Sequence, residues 1–89
     1  MQKLLLTIIT VVKNDDKNIQ KTIKSVITQN NLKYEYIIID GKSKDNTLNN
    51  ILKYKKKITK IVSYTDKGIY DAMNKGIKLS KGHVIVFCN

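Results

Sequence analysis

Three short stretches carry the residue types that do chemistry: Lys13-Asn14-Asp15-Asp16, Asp40-Gly41-Lys42-Ser43 and Thr65-Asp66-Lys67-Gly68. Each sets a carboxylate beside amide, hydroxyl or glycine residues, directly after an apolar run. Carboxylates accept hydrogen bonds from ligand hydroxyl and ring N–H groups, and hold divalent cations when several converge. A glycine beside them lets the backbone approach a ligand with no Cβ in the way. The third stretch continues as DKGIYDAMNKGI, residues 66–77. There Ile69, Met73 and Ile77 recur four apart, so a helix with one apolar stripe is expected to start at Gly68. Asp66 would offer an acceptor at its entrance and Asn74 a polar position along it. Gly76, where alanine is the better helix former, is expected to let the helix pack closely on a sheet.

The elements that must position these residues follow from periodicity. Apolar runs at Leu4–Val12, Tyr34–Ile39, Ile58–Tyr64 and His83–Cys88 read as strands, nearly continuous as in strands covered on both faces. Between them Ile19, Ile23, Val26 and Ile27 form one helical stripe, Leu48, Ile51 and Leu52 a second, and Ile69, Met73 and Ile77 the third, with Gly82 marking a stop before the last strand. The order β-α-β-α-β-α-β, with short right-handed crossovers, demands an α/β fold with a mostly parallel sheet. In such a sheet all four strand ends lie along one rim, where ligands bind. Acids that open loops also cap helices, which is the expected role of Asp45 and an equal alternative for Asp16. Asp40 and Asp66 stand several residues before the expected caps.

Composition narrows the function. Eighty-nine residues allow one small domain, and the single cysteine, Cys88, excludes a disulfide framework and a cysteine-based zinc site, making a reducing cytoplasm the expected location. Cys88 reads as a buried core thiol. The apolar run near the N-terminus is too short to cross a bilayer and has no small-residue cleavage site after it. The net charge of +10 suits anionic partners. Yet the one lysine run, Lys55-Lys56-Lys57, has no interleaved aromatic platform, so no nucleic-acid partner is expected. It reads as a solvated helix end. Gly41-Lys42-Ser43 lacks the upstream glycine of a P-loop, because position 36 is Tyr36. No GxGxxG follows the first strand. A receiver-like module, with Asp15, Asp16 and Asp66 around Mg²⁺, is an alternative in which Asp40-Gly41 has no role.

Three segments together, TIITVVKNDDKNIQKTIKSVITQNN, YEYIIIDGKSKDNT and DKGIYDAMNKGI, resemble the family 2 glycosyltransferases of the GT-A fold, over nearly the whole chain. The resemblance implies a Rossmann-like nucleotide-binding half with strand order 3-2-1-4, residues 1–89 forming the incomplete N-terminal part of one domain. It implies transfer of a sugar from a nucleotide-sugar donor to an acceptor hydroxyl, in polysaccharide or glycoconjugate synthesis. The different-class alternative is a non-enzymatic nucleotide-binding module. By resemblance Thr10, Val12 and Asn14 line the nucleotide pocket, with Asp16 close by. Asp40 helps hold the base or ribose, Asp66 and Gly68 lie beside the nucleotide, and Asn74 faces the same cleft. The implied cofactor is a divalent cation, Mg²⁺ or Mn²⁺. The implied acceptor is a glycan or lipid-linked molecule, which extends the expected location to the inner face of a membrane.

The departures from the family pattern are specific. Gly41 stands where many relatives carry a second acid, Lys42 replaces a common glycine, Met73 a phosphate-binding arginine, and His83 a frequent aspartate. His83 at a strand start reads as structural. In the family the strand matching Val84–Cys88 runs into an acidic pair that holds the metal, and the catalytic base lies further on. Both are expected beyond Asn89, as is structure packing on the last strand, whose uncovered surface should otherwise promote self-association. The 89 residues alone are accordingly expected to give no sugar transfer with Mn²⁺ or Mg²⁺, because losing even one charge-stabilising donor costs ~10²–10³ in rate. Mass spectrometry of an acceptor glycan incubated with nucleotide-sugars checks this.

Overall fold

In the computed structural model, which describes residues 5–28 and 33–89, strands and helices alternate as the periodicity requires. They are β1 (Leu6–Val12), α1 (Ile19–Ile27), β2 (Tyr34–Asp40), α2 (Thr47–Leu52), β3 (Lys60–Ser63), α3 (Ile69–Leu79) and β4 (Val84–Phe87). The strands form one parallel sheet in the order β3-β2-β1-β4, as expected. β3 and β4 are shorter than their apolar runs, β2 reaches one residue further to include Asp40, and Leu4 lies outside the described residues. Lys55–Lys57 form a separate 3₁₀ turn, not the end of α2, which stops at Leu52. The register pairs Val12 with Asp40 and Asp40 with Ser63, so the ends of β1, β2 and β3 stand in a row.

Each face of the sheet has its own core. Ile8, Tyr36 and Ile38 pack with Ile19, Ile23 and Val26 of α1, Ile51 of α2, and Ile58. On the other face Ile9, Val11, Ile37 and Ile39 pack with Ala72 of α3. The alternation along β1 and β2 follows from the pleat, which sends successive side chains to opposite faces. β4 flanks β1, and its Val84 and Val86 remain 44% and 45% exposed, the uncovered apolar surface expected of this strand. Cys88 is half-buried rather than buried and packs at the edge of the α1–α2 core. His83 is structural: its Nδ1 accepts the Leu5 N–H at 3.2 Å.

The apolar stripe of α3 is displaced from its expected line. Ala72 and Gly76 are its buried residues, while Ile69 and Ile77 are 56% and 42% exposed. Helical steps of about 100° put Ala72 and Gly76 one residue round from the Ile69–Met73–Ile77 line. Small side chains on that line let the helix descend onto the sheet. A Cβ at Gly76 would lie 2.8 Å from Cγ2 of Ile9, which has no exposed surface. Gly76 therefore does allow the close packing that its cost to the helix suggested.

Polar groups inside the sheet are paired. Glu35, 6% exposed, accepts hydrogen bonds at Oε1 from the Thr7 hydroxyl (2.7 Å), the Lys81 N–H and the Gly82 N–H (3.2 Å). Gly82 thus sits in the loop this carboxylate clamps, three residues after α3 ends at Leu79. Burial pushes the Glu35 carboxyl upward, but the Lys81, Thr7 and Gly82 bonds and the nearby Lys60 charge outweigh it, and the net direction is down from 4.5.

Two predictions follow from this packing. Gly76→Ala gains about 1 kcal/mol of helix propensity but overpacks Ile9, a cost of ~1–3 kcal/mol, so a net loss on thermal denaturation is expected. Ile9→Val should suppress that loss in the double variant, as coupled neighbours do. For Glu35, a depressed folded pKa means that its stabilisation is present above the unfolded value and lost as pH falls through the folded one. Below about pH 4.5 the melting temperature should fall, and Glu35→Gln should flatten part of that fall.

Candidate functional site

The rim is organised by one carboxylate at the end of the central strand. Asp40 has no exposed surface. Its Oδ1 accepts the Ser43 hydroxyl at 2.5 Å, and its Oδ2 accepts the Ser43 N–H at 3.1 Å and the Ser63 hydroxyl at 2.7 Å. Ser43 Oγ in turn accepts the Asn14 N–H at 2.8 Å, and Asn14 Oδ1 accepts the Lys44 N–H at 2.8 Å. Asn14 and Lys42 hold φ of 53° and 61°, left-handed conformations uncommon outside glycine but tolerated by asparagine. The β1–α1 loop is thereby stapled to the β2–α2 loop.

A second set of bonds continues the staple outward. Asp16 donates its N–H to Asp45 Oδ2 (3.3 Å), accepts the Asn46 N–H at its own Oδ2 (3.3 Å), and accepts the Asn50 side chain at its carbonyl (3.2 Å). Asp45 Oδ1 receives the Thr47 hydroxyl (2.5 Å) and the Thr47 N–H (2.9 Å); it meets the first residue of α2 from one position before the N-cap, which is Asn46 rather than the expected Asp45. The Thr47 hydroxyl bond is the main reason the Asp45 carboxyl is held below its ordinary value. Thr47 Oγ1 also accepts the Asp15 N–H at 2.8 Å.

Beside this staple lies a cleft of about 260 Å³, lined by Val11, Val12, Lys13, Asp66, Gly68, Ile69 and Ala72. It opens between the end of β1 and the entrance to α3. Asp66 Oδ1 accepts the Gly68 N–H at 3.0 Å. Gly68 adopts φ of 120° with open space around its Cα, so a glycine is required here for conformation as well as for access. Asp71 Oδ2 accepts the Lys67 N–H (2.9 Å) and the Tyr64 hydroxyl (3.2 Å), fixing the turn that presents Asp66, while Tyr70 is 78% exposed.

Of the residues singled out from the sequence, Val12, Asp66 and Gly68 line the cleft. Asn14, Asp16 and Asp40 belong to the staple that fixes the neighbouring loops. Thr10 lies within the sheet: its Oγ1 donates to the Cys88 carbonyl at 2.6 Å and lies 2.7 Å from the Tyr36 hydroxyl, whose pKa burial pushes up to about 12. Asn74 is exposed, about 200° round α3 from the buried Ala72, and does not line the cleft. Val11, Lys13, Ile69 and Ala72 line it without having been singled out. Lys13 was legible as the first residue past β1, whereas the wall formed by Ile69 depended on the helix face. Among the described residues no three His, Cys, Asp or Glu side chains gather so as to hold a metal ion. The divalent cation implied by resemblance therefore has no fitting site in them.

Comparison with known proteins gives the same picture. The model of Glycosyl transferase family 2 matches residues 7–89. Two uncharacterized glycosyltransferases, from two strains of Mycobacterium tuberculosis, are each 35% identical over 83 residues, spanning 92% of this chain and 32% of theirs. Among solved structures, S. aureus TarS 1–349 in complex with UDP-GlcNAc superposes with a TM-score of 0.83 at 23% identity, over 92% of this chain and 25% of that one. The mannosyltransferase PcManGT from Pyrobaculum calidifontis, in complex with GDP-Man and Mn²⁺, gives 0.81 at 20% identity, over 90% and 25%. The chain thus spans a quarter to a third of the length of these relatives. A family match running from β1 through β4, on a parallel sheet of order 3-2-1-4, shows that the chain belongs to glycosyl transferase family 2.

Proposed function

We propose that this chain binds the nucleotide of a nucleotide-sugar donor, within a protein that transfers the sugar to an acceptor hydroxyl. The observation that carries the reading is the cleft at the carboxyl ends of the strands. It combines apolar walls (Val11, Val12, Ala72), one carboxylate (Asp66) and one lysine (Lys13) on a GT-A-like sheet. Apolar walls suit the faces of a nucleobase, the carboxylate accepts its N–H or a ribose hydroxyl, and the lysine suits a diphosphate. Asn14, Asp16 and Asp40 act here by holding the loops that frame the cleft, and Thr10 by fixing β1 against β2 and the end of β4.

In this reading a carboxylate base elsewhere in the whole protein takes the acceptor proton, and a divalent cation offsets the charge on the departing diphosphate. The relative solved with GDP-Man and Mn²⁺ supports the cation for the family. The residues described here contribute neither group. The setting we infer is polysaccharide or glycoconjugate synthesis in the cytoplasm, with peripheral contact at a membrane where the acceptor is lipid-linked. No observation favours the receiver-like alternative, since Asp15 and Asp16 are engaged in loop bonds.

Titration with UDP and with GDP, followed by amide NMR, tests the reading. Saturable shifts are expected at Val11, Val12, Lys13 and residues 66–72. The absence of saturation with either nucleotide at millimolar concentration, or shifts confined to the Lys55–Lys57 turn, would overturn it.

A further inference from the structure

Charge is sorted between the two ends of the sheet. Asp15, Asp16, Asp40, Asp45, Asp66 and Asp71 all stand at the carboxyl ends of the strands or in the first turn of α3. The remaining acid, Glu35, is buried at the start of β2 and engaged by Thr7, Lys81 and Gly82. The amino end of the sheet therefore shows solvent no carboxylate among the described residues, and lysines gather there. Lys24, Lys53 and Lys78 are exposed where α1, α2 and α3 end, and there the helix dipole favours a cation. The dipole does not account for the others. Lys33 precedes β2, Lys81 lies in the loop before β4, and Lys55, Lys56 and Lys57 form a 3₁₀ turn beyond the end of α2; all are exposed. β1 is 7 residues long, so at ~3.3 Å per residue the two ends stand about 23 Å apart. That is well beyond the Debye length of ~8 Å at physiological salt, so the rim acids are screened from this end.

Resting on the membrane setting proposed above, we infer that the amino end of the sheet is a docking surface for an anionic phospholipid bilayer. Lysines spread over one end of the molecule match a plane of fixed negative charge, which attracts each of them within a Debye length. Leu52, 43% exposed beside Lys53, adds an apolar side chain suited to the boundary between headgroups and acyl chains. Single-stranded nucleic acid calls instead for aromatic platforms on which bases stack. The one exposed aromatic among the described residues, Tyr70, lies at the opposite end, in the first turn of α3. Docked by its amino end, the chain turns the rim and its cleft to the aqueous side, where a water-soluble donor arrives.

The test is flotation of the chain with vesicles of phosphatidylcholine, pure or mixed with phosphatidylglycerol. Binding is expected to the mixed vesicles alone, and to weaken as salt rises. A variant carrying Lys55→Gln, Lys56→Gln and Lys57→Gln loses only exposed side chains, so it should melt at the parent temperature. Its affinity for the mixed vesicles should fall about a hundredfold, at roughly fivefold per lysine. A second variant, carrying Lys17→Gln, Lys44→Gln and Lys67→Gln at the rim end, lowers the net charge equally and should lose less than about fivefold. A difference by place at equal charge is what unspecific attraction would not produce. Equal losses in the two variants, or equal binding to pure phosphatidylcholine, overturn this surface and leave the membrane setting standing. Tighter binding of single-stranded RNA than of the mixed vesicles at the same salt also overturns it. No binding to the mixed vesicles even at low salt overturns both the surface and the setting, while the donor-binding reading rests on its own nucleotide titration.

Discussion

A carboxylate with no exposed surface must have its oxygens met by donors, and the rim of this protein is arranged around that requirement at Asp40. Ser43 meets it twice and Ser63 once, which ties the β2–α2 loop and the end of β3 to the central strand. Ser43 then takes the Asn14 N–H, and the β1–α1 loop joins the same network. Breaking a buried polar network at one member leaves the others unpaired, so its parts stand or fall together. The loops that frame the cleft are fixed by this chain of bonds before any ligand arrives.

β2 carries a second buried acid at its opposite end. Glu35 gathers the Thr7 hydroxyl and the N–H groups of Lys81 and Gly82, and so fixes the loop that delivers β4 to β1. Lys60 adds a bond from its ammonium to the Leu79 carbonyl at 2.7 Å, where α3 ends. The central strand is thus anchored at both ends, with Ile37, Ile38 and Ile39 between the anchors serving both cores. Pairing of this kind specifies register, since a slip of one residue would send both acids to the wrong faces.

The cleft draws on both devices. Its β1 side is held by the rim staple, and its α3 side by the close seating of Ala72 and Gly76 on the sheet. Seating the helix on small residues leaves Ile69 free to form a wall. Gly41 acts in a similar way next to Asp66, since its missing side chain leaves room for the Asp66 carboxylate. Absent side chains at two positions shape this site as much as present ones do.

Strand order, helix number and the convergence of polar loops on one rim were legible in the chain, because period-2 and period-3.6 patterns are local and crossover handedness is nearly invariant. So was the family, whose motifs are contiguous. The direction of individual side chains was not. Asp40 and Asp66 look alike along the sequence, each following an apolar run, yet one is the buried hub of a loop network and the other lines the cleft. That difference depends on Ser43, Ser63 and Gly41, which the register and the loops bring together. Asn74 and Ile69 were sorted by helix rotation, and rotation was decided by how closely Gly76 approaches Ile9, a contact between residues far apart in the chain. Periodicity names the elements because it is written in neighbouring residues; which atom faces the ligand is decided only when distant residues compete for the same space.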